Sequence, residues 1–154
     1  MFTPTESIVL RAAGLSALTA NTTLTHDRLS SDLSRYHHAT VTLVTTDQSL
    51  GTASDEIDFY IQTTYDNGTT WTDLENIHFE NGAAATNRDD GETGSWVSHI
   101  MRPTSRVAAT AVTDGTLADD TVVDAGIGTG LRVKVVFTQT PSITCSIHVL
   151  LKGN

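Results

Sequence analysis

Residues 58–74 have the sequence DFYIQTTYDNGTTWTDL, which predicts a strand, a tight turn and a second strand. Up to Tyr65 the side chains alternate between two faces, a period of two that is typical of a β-strand. Residues 66–68 (DNG) then tolerate the positive φ that a hairpin turn requires, and Trp71 brings a large apolar surface to bury. The apolar face holds Ile57, Phe59, Ile61, Thr63 and Tyr65, and the opposite face holds Asp58, Tyr60, Gln62 and Thr64. We therefore expect an antiparallel β protein with a hairpin near its middle.

Further segments show the same alternation of apolar and polar side chains, separated by Gly, Pro or polar residues. They are residues 7–13, 37–46, 95–101, 106–112, 131–138 and 143–151. The last two segments are joined at Pro141 and predict a terminal hairpin with a nearly unbroken apolar face. The pattern as a whole predicts an all-β fold. We expect an antiparallel β-sandwich or jelly roll, with long loops at 80–94 and 113–130 and an extended N-terminal arm.

The first 32 residues differ in pattern from the rest of the chain. Their leucines follow no period, and small polar residues are frequent. Such a segment gains little by folding on its own domain. We therefore expect residues 1–32 to form an arm with the first strand, and residues 33–154 to form the β-sandwich domain. The apolar side chains that we expect to dock on another molecule are Phe2, Ile8, Leu10, Leu15, Leu18 and Leu24.

The chain is acidic, since 18 Asp and Glu residues oppose 9 Lys and Arg residues and give a formal charge of -9. An acidic surface repels phosphate backbones, so we predict no binding to nucleic acid. It also disfavours a polybasic membrane patch, and no apolar run reaches the roughly 18 residues of a membrane span. We therefore predict no membrane partner.

Cys145 is the single cysteine of the chain, which excludes an internal disulfide and a multi-cysteine zinc site. It alternates with Ile143 and Ile147 in an apolar pattern, so we interpret it as a small buried hydrophobe. The N-terminal residues lack the basic and apolar regions of a signal peptide. We therefore expect synthesis and use in a cytoplasm, or release from it by lysis.

The central turn matches a known sequence pattern. Thr64, Asp66, Gly68, Thr70 and Trp71 follow the Asp-box pattern S-x-D-x-G-x-T-W, with Thr in place of Ser. This pattern resembles one that recurs in sialidase propellers, where it is a structural hairpin, but here it occurs once. We interpret Asp66, Gly68 and Trp71 as a structural turn. The alternative is a carbohydrate platform formed by Trp71 and Tyr65.

Spacing alone identifies no catalytic or metal-binding set. The 6 histidines include no pair at i and i+4, and His37 and His38 point to opposite faces of a predicted strand. Acidic residues cluster in both long loops but lack the EF-hand pattern, so we interpret them as solvated charge. They are Asp89, Asp90 and Glu92 in one loop, and Asp119, Asp120 and Asp124 in the other. We predict no catalytic residues, no metal site and no cofactor, and hence a protein that is not an enzyme.

Five short motifs follow one another along the chain. They are DLSRY at 32–36, VTLV at 41–44, DNGTTW at 66–71, LRV at 131–133 and TPS at 140–142. Their order resembles that of a group of small β proteins from the virions of tailed bacteriophages. The resemblance covers residues 32–152 without the two long loops.

The resemblance implies a virion structural protein, and in particular a capsid decoration protein. Such proteins are commonly trimeric jelly rolls or sandwiches that sit on the shell and brace it. The implied partners are the major capsid protein of the same phage and further copies of the chain, with a trimer favoured. The implied location is the capsid surface of the virion, after synthesis in the host cytoplasm.

Other functions remain as alternatives. The first 30 residues and the long loops depart from the shorter members of the group, so attachment to the neck or tail is one alternative. A carbohydrate-binding module and a small hydrolase are alternatives from other classes. The aromatic content of 6%, with 2 Trp, favours a structural protein over a sugar-binding module.

Overall fold

The computed structural model is nearly all β and describes residues 5–30, 33–81, 93–101, 114–123 and 126–153. This part of the chain contains eight strands and one short helix. The elements are β1 (Thr5–Arg11), β2 (Thr22–Leu24), α1 (Asp27–Ser30), β3 (Tyr36–Ser49), β4 (Glu56–Thr64), β5 (Thr72–Glu80), β6 (Gly94–Met101), β7 (Gly130–Thr138) and β8 (Ser142–Gly153). The all-β fold predicted from the alternation is confirmed.

The strands form two four-stranded antiparallel sheets. The first sheet has the order β1-β8-β3-β6 and the second has the order β2-β7-β4-β5. Except for β4 and β5, strands that follow one another in the described part of the chain belong to different sheets. Buried side chains from both sheets form one hydrophobic core, so the predicted antiparallel β-sandwich is also confirmed.

The central hairpin consists of β4 and β5. Asp58 lies opposite His78, and a register shift interrupts the pairing between Ile61 and Gln62. The inward residues of β4 are buried in the core, as the alternation predicts. The outward residues Asp58 and Gln62 are buried as well, because another segment of the chain covers this face.

The last two strands do not form the terminal hairpin that the sequence predicts. β7 belongs to the second sheet and β8 to the first, so the turn at Pro141 carries the chain across the sandwich. Gln139, next to this turn, has a positive φ of 64°. Two neighbouring strands with unbroken apolar faces can pair edge to edge or face each other across a core. Alternation alone does not separate these arrangements.

Aromatic rings fill the centre of the sandwich. Phe79 packs edge-on against Phe59 and Trp96, with ring centroids 5.9 and 5.1 Å apart. Aromatic pairs in this geometry stabilise a core beyond the area that they bury. Cys145 is 2% exposed and belongs to the same core, as the sequence predicts.

The N-terminal segment, expected to be an extended arm, is folded onto the sandwich from Thr5 onward. β1 pairs with β8, and β2 pairs with β7. Glu6 accepts hydrogen bonds from Arg28 at 2.6 Å and from the Tyr36 hydroxyl at 2.6 Å. These bonds join β1 to α1 and to the start of β3. Residues 5–30 therefore share one core with the predicted sandwich domain, and their leucines lack a period because the segment passes from one sheet to the other.

Two sequence predictions concern segments outside the described residues: the strand at 106–112 and most of the loop at 80–94. The loop predicted at 113–130 is described at 114–123 and from residue 126 onward. In these described ranges, no helix has the length and apolar character needed to cross a membrane.

Candidate functional site

The turn between β4 and β5 is organised by the Asp66 carboxylate. Oδ1 accepts hydrogen bonds from the Thr70 amide and the Thr64 hydroxyl, both at 2.8 Å, and Oδ2 accepts one from the Thr70 hydroxyl at 2.7 Å. The hydrogen bonds from Thr70 lower the pKa of Asp66 to about 2. Asn67 and Gly68 have φ angles of 56° and 91°, in the region that turn residues must tolerate. Asp66 and Gly68 therefore lie where the chain reverses.

Trp71, the third residue of the predicted structural turn, packs beside the turn instead of joining the core. The Arg132 guanidinium lies over its ring, 4.1 Å from the ring centroid. Arg132 Nε also donates to Gln62 Oε1 at 2.6 Å. Burial lowers the pKa of Arg132 while the neighbouring carboxylates oppose this effect. One face of Trp71 is therefore occupied by a cation of the same chain.

A depression of about 300 Å³ opens beside Trp71. Its lining consists of Thr69, Thr70, Trp71 and Asp114. Tyr65, the other aromatic residue of the alternative sugar platform, is 51% exposed, and its hydroxyl donates to the Gly126 carbonyl at 3.1 Å. Hydroxyl groups, a carboxylate and an indole ring thus surround this depression.

Residues 114–123, which we call the covering loop, run along β5, an edge strand of the second sheet. The Val123 amide donates to the Leu74 carbonyl at 2.7 Å, and the Asn76 amide donates to the Thr121 carbonyl at 3.0 Å. These bonds satisfy backbone groups that an edge strand otherwise presents to solvent. The covering loop is therefore part of the sheet's hydrogen bonding.

The buried Asp73 carboxylate anchors the covering loop from below. It accepts backbone hydrogen bonds from Gly115 and Thr116, each at 2.9 Å, and from Leu117 at 3.1 Å. Gln62 Nε2 also donates to it at 2.6 Å. A fully buried carboxylate is expensive unless charge-assisted hydrogen bonds surround it, and here three consecutive loop residues supply them.

Three ionisable side chains meet farther along the same covered face. Asp58 lies on β4, His78 on β5 and Asp119 in the covering loop, with ligand atoms within 4.8 Å of one another. His78 Nδ1 is 2.8 Å from Asp58 Oδ1 and 3.6 Å from Asp119 Oδ1. Asn76 Nδ2 donates to Asp58 Oδ1 at 2.9 Å. We call Asp58, Asn76, His78 and Asp119 the buried polar cluster, in which Asp119 is the member open to solvent.

The carboxylates of this cluster control the charge of His78. Burial of the ring lowers its pKa, but the hydrogen bond to Asp58 and the charges of Asp58 and Asp119 together outweigh that effect and raise the pKa to about 9. His78 is therefore an imidazolium at neutral pH when nothing else occupies the cluster. The cluster can hold a proton, and by the same donor atoms it can hold a cation.

The predicted interaction residues of the N-terminal segment differ in accessibility. Ile8 is in the core at 4% exposure, so its side chain cannot contact a partner. Leu10, Leu18 and Leu24 are partly buried against the core. Leu15 is 49% exposed, and Phe2 lies outside the described residues. Of the predicted docking set, Leu15 is therefore the side chain that the described structure leaves accessible.

The buried polar cluster is not predicted from the sequence, although the alternation of polar and apolar residues in β4 and β5 is a partial signal for it. Asp58 and His78 are polar residues at outward positions of β4 and β5, next to the apolar core residues Ile57, Phe59, Ile77 and Phe79. Their pairing depends on the hairpin register, and Asp119 reaches them only through the covering loop. Elsewhere, His38 and His99 stack on the outer face of the first sheet, with ring centroids 5.5 Å apart. Sequence spacing does not predict this contact either.

Comparison with known proteins gives no assignment. No protein-family model matches the chain, and no curated protein matches it. The fold, the geometry of the face beneath the covering loop and the order of the sequence motifs are therefore the features that bear on function.

Proposed function

We propose that this chain is a structural protein of a tailed-phage virion, namely a capsid decoration protein that binds the major capsid protein as a homotrimer. The order of the five motifs along residues 32–152 motivates the proposal. In this function the protein is not an enzyme. It braces the shell by many weak contacts that the symmetry of the particle repeats.

The strand order is the observation that carries this proposal. The neighbours β1 and β8, β2 and β7, β3 and β6, and β4 and β5 are the pairs of one long hairpin. Rolling such a hairpin into two facing sheets produces a jelly roll. We include this finer fold in the proposal, because double-sheet jelly rolls are a recurrent architecture of viral capsid domains.

The covered face supports the same function. The Asp73 carboxylate accepts hydrogen bonds from the covering loop, and the Asp66 carboxylate accepts them from the central turn. These hydrogen bonds fix the backbone of both segments and so make the surface that they form rigid. A rigid body that presents fixed loops loses little conformational entropy on each contact with a lattice, which suits a protein that braces a shell.

Co-sedimentation with undecorated capsids of the same phage tests the proposal. We expect the full chain to bind saturably and to raise the temperature at which the capsids disrupt. Leu15→Asp places a charge on the accessible apolar residue of the N-terminal segment and should weaken binding. Thr19→Asp is the matched control, because Thr19 is exposed in the same segment. Absence of saturable binding by the unmodified chain would refute the decoration function.

A sugar-binding module is the second candidate, and the depression beside Trp71 favours it. Saccharides bind to aromatic faces flanked by hydroxyl and carboxylate groups, and Thr69, Thr70 and Asp114 supply such groups here. Glycan-array binding that is lost in Trp71→Ala and kept in Tyr65→Ala would establish this function instead. The Arg132 guanidinium already covers one face of Trp71, which is why the structural function is preferred.

A further inference from the structure

We propose that the buried polar cluster, together with the carbonyl of Leu117, is a binding site for a divalent cation, with Mn²⁺ as the best match. The site joins β4, β5 and the covering loop, so a bound ion would fix the loop to the sheet. This inference concerns a different property of the chain from the proposed virion function and does not depend on it.

The separations between donor atoms match those around a metal ion. The Asn76 side-chain amide is 2.9 Å from Asp58 Oδ1, 3.2 Å from the Leu117 carbonyl and 3.5 Å from Asp119 Oδ1. His78 Nδ1 is 2.8 Å from Asp58 Oδ1 and 3.6 Å from Asp119 Oδ1. Adjacent ligands of an octahedral ion are roughly 3–3.5 Å apart when metal–oxygen distances are roughly 2.1–2.5 Å. Four ligand atoms (Asp58 Oδ1, Asp119 Oδ1, His78 Nδ1 and the Leu117 carbonyl oxygen) thus lie at such separations from the Asn76 amide or from one another, and Asn76 Oδ1 becomes the fifth when its amide turns over.

Asn76 provides an independent indication of a ligand. Its side chain is 1% exposed, and in the observed orientation Nδ2 is directed into the cluster and donates to Asp58 Oδ1. Its Oδ1 atom has no hydrogen-bond partner among the described residues, although buried carbonyl groups are normally satisfied. When the amide turns over, Oδ1 takes the place of Nδ2 beside Asp58, Leu117 and Asp119. Oxygen atoms so placed repel one another unless a cation lies between them.

The local charge also favours a cation. Asp58 and Asp119 contact the His78 ring, Glu80 Oε2 lies 3.5 Å from its Nε2, and Asp120 accepts the His78 backbone amide. Three carboxylates therefore lie beside one imidazole, and a fourth accepts a hydrogen bond from the backbone of the same residue. A divalent ion offsets this negative excess better than a single ring proton does. On binding, His78 Nδ1 releases its proton to solvent and donates its lone pair to the metal.

The donor types narrow the choice of metal. Carboxylate and carbonyl oxygens suit Mg²⁺, Ca²⁺ and Mn²⁺, whereas an imidazole nitrogen suits transition metals. Of the three ions that suit these oxygens, Mn²⁺ is the transition metal, and so it is the one best suited to an imidazole nitrogen in the same shell. The Asp119 side chain is 60% exposed, so an ion can enter from solvent on that side and keep bound water there.

Nuclear magnetic resonance of the metal-stripped full chain tests the site directly. Mn²⁺ is paramagnetic and broadens the signals of nuclei near it. We expect substoichiometric Mn²⁺ to broaden the ring signals of His78 first and to leave those of His37 and His148, which lie on the first sheet, sharp. Broadening that begins at the stacked pair His38 and His99 would overturn the proposal, because it would place the ion on the opposite sheet.

Calorimetric titration with Mn²⁺ measures the affinity and the stoichiometry. We expect one Mn²⁺ per chain, and Asp119→Asn should weaken binding by at least about tenfold, since even outer partners of a metal ligand contribute that much. Asp47→Asn removes the same charge from an exposed position on β3 and should leave the affinity unchanged. Equal affinities of the two variants, or no saturable binding at millimolar Mn²⁺, would refute the site. The spectroscopic result on the unmodified chain remains decisive if the Asp119 variant folds poorly.

Discussion

The turn at residues 64–71 and the covering loop at residues 114–123 are both held by a carboxylate, but over different distances along the chain. Asp66 bonds to Thr64 and Thr70, which are 2 and 4 positions away. Asp73 bonds to Gly115 and Leu117, which are 42 and 44 positions away. A local carboxylate therefore needs only neighbouring residues to shape a turn, whereas a distant one acts only where the completed sandwich brings its partners together.

The largest expected effect follows from removing the distant carboxylate. Asp73→Ala leaves three loop amides and the Gln62 side chain without their buried acceptor. Each unsatisfied buried donor costs about 1–3 kcal/mol, so we expect the free energy of unfolding to fall by about 4 kcal/mol. Urea denaturation measures this loss, and hydrogen exchange should show faster exchange in the covering loop than in the central turn.

Asp47→Ala is the control for the Asp73 substitution. Asp47 is exposed at the end of β3, and surface substitutions of this kind usually change stability by less than about 0.5 kcal/mol. A loss below about 1 kcal/mol in Asp73→Ala would contradict the comparison, because it would mean that the charge-assisted bonds to the loop contribute little.

The difference between local and distant contacts also explains how much of the structure can be predicted from the sequence. Alternation identifies the strands and their buried faces, and the Asp66 turn follows from neighbouring residues. The choice of strand partners does not follow from these local signals, so β7 and β8 are predicted to pair but lie in different sheets. The contacts of the N-terminal segment do not follow from local pattern either, since the β1–β8 pairing and the contact of Glu6 with Tyr36 connect distant parts of the chain.

The buried polar cluster depends on a register shift of one residue between β4 and β5, which local sequence patterns do not predict. Thr63 pairs with Thr72 next to the turn, and counting back from there places Ile77 opposite Asp58. The register shift between Ile61 and Gln62 brings His78 to that position instead. A bulge of this kind depends on the surrounding sheet, and so the ionisable pair cannot be derived from spacing alone.

A smaller effect is expected from straining the local turn. Gly68 has a φ of 91°, and an added methyl group would meet Trp71 Cζ2 at 3.9 Å, an ordinary contact. The cost of Gly68→Ala is therefore that of the left-handed backbone, about 1–2 kcal/mol. Gly51→Ala is the matched control, since its added methyl group also meets an ordinary contact, Asp55 Oδ2 at 3.7 Å. Equal melting temperatures of the two variants would show that Gly68 does not need its observed conformation.

Acid titration examines the Asp66 carboxylate itself. Its pKa falls from 3.8 to about 2 in the folded protein because Thr70 donates to it. A carboxyl group with a lowered pKa stabilises the fold fully above its unfolded pKa, and this contribution is lost as the pH falls from about 4 to about 2. We therefore expect the difference in melting temperature between the unmodified chain and Asp66→Asn to shrink over this range. A constant difference from pH 5 to pH 2 would show that the charge of Asp66 does not stabilise the turn.

The smallest effect is expected at the exposed side of the covering loop, where Lys134 Nζ contacts the Asp114 carbonyl at 2.9 Å and its Oδ1 at 3.0 Å. Asp114 is 61% exposed, and Arg132 Nη2 still reaches its carboxylate at 3.0 Å when Lys134 is replaced. Lys134→Met keeps the apolar stem of the side chain, so unfolding in urea should show a loss below about 1 kcal/mol, which added salt reduces further. A loss as large as that of Asp73→Ala would mean that both sides of the loop anchor it equally. A much larger loss in Asp73→Ala than in Lys134→Met would show that the buried Asp73 carboxylate anchors the loop. The exposed ion pair contributes little, because water replaces its contacts at little cost.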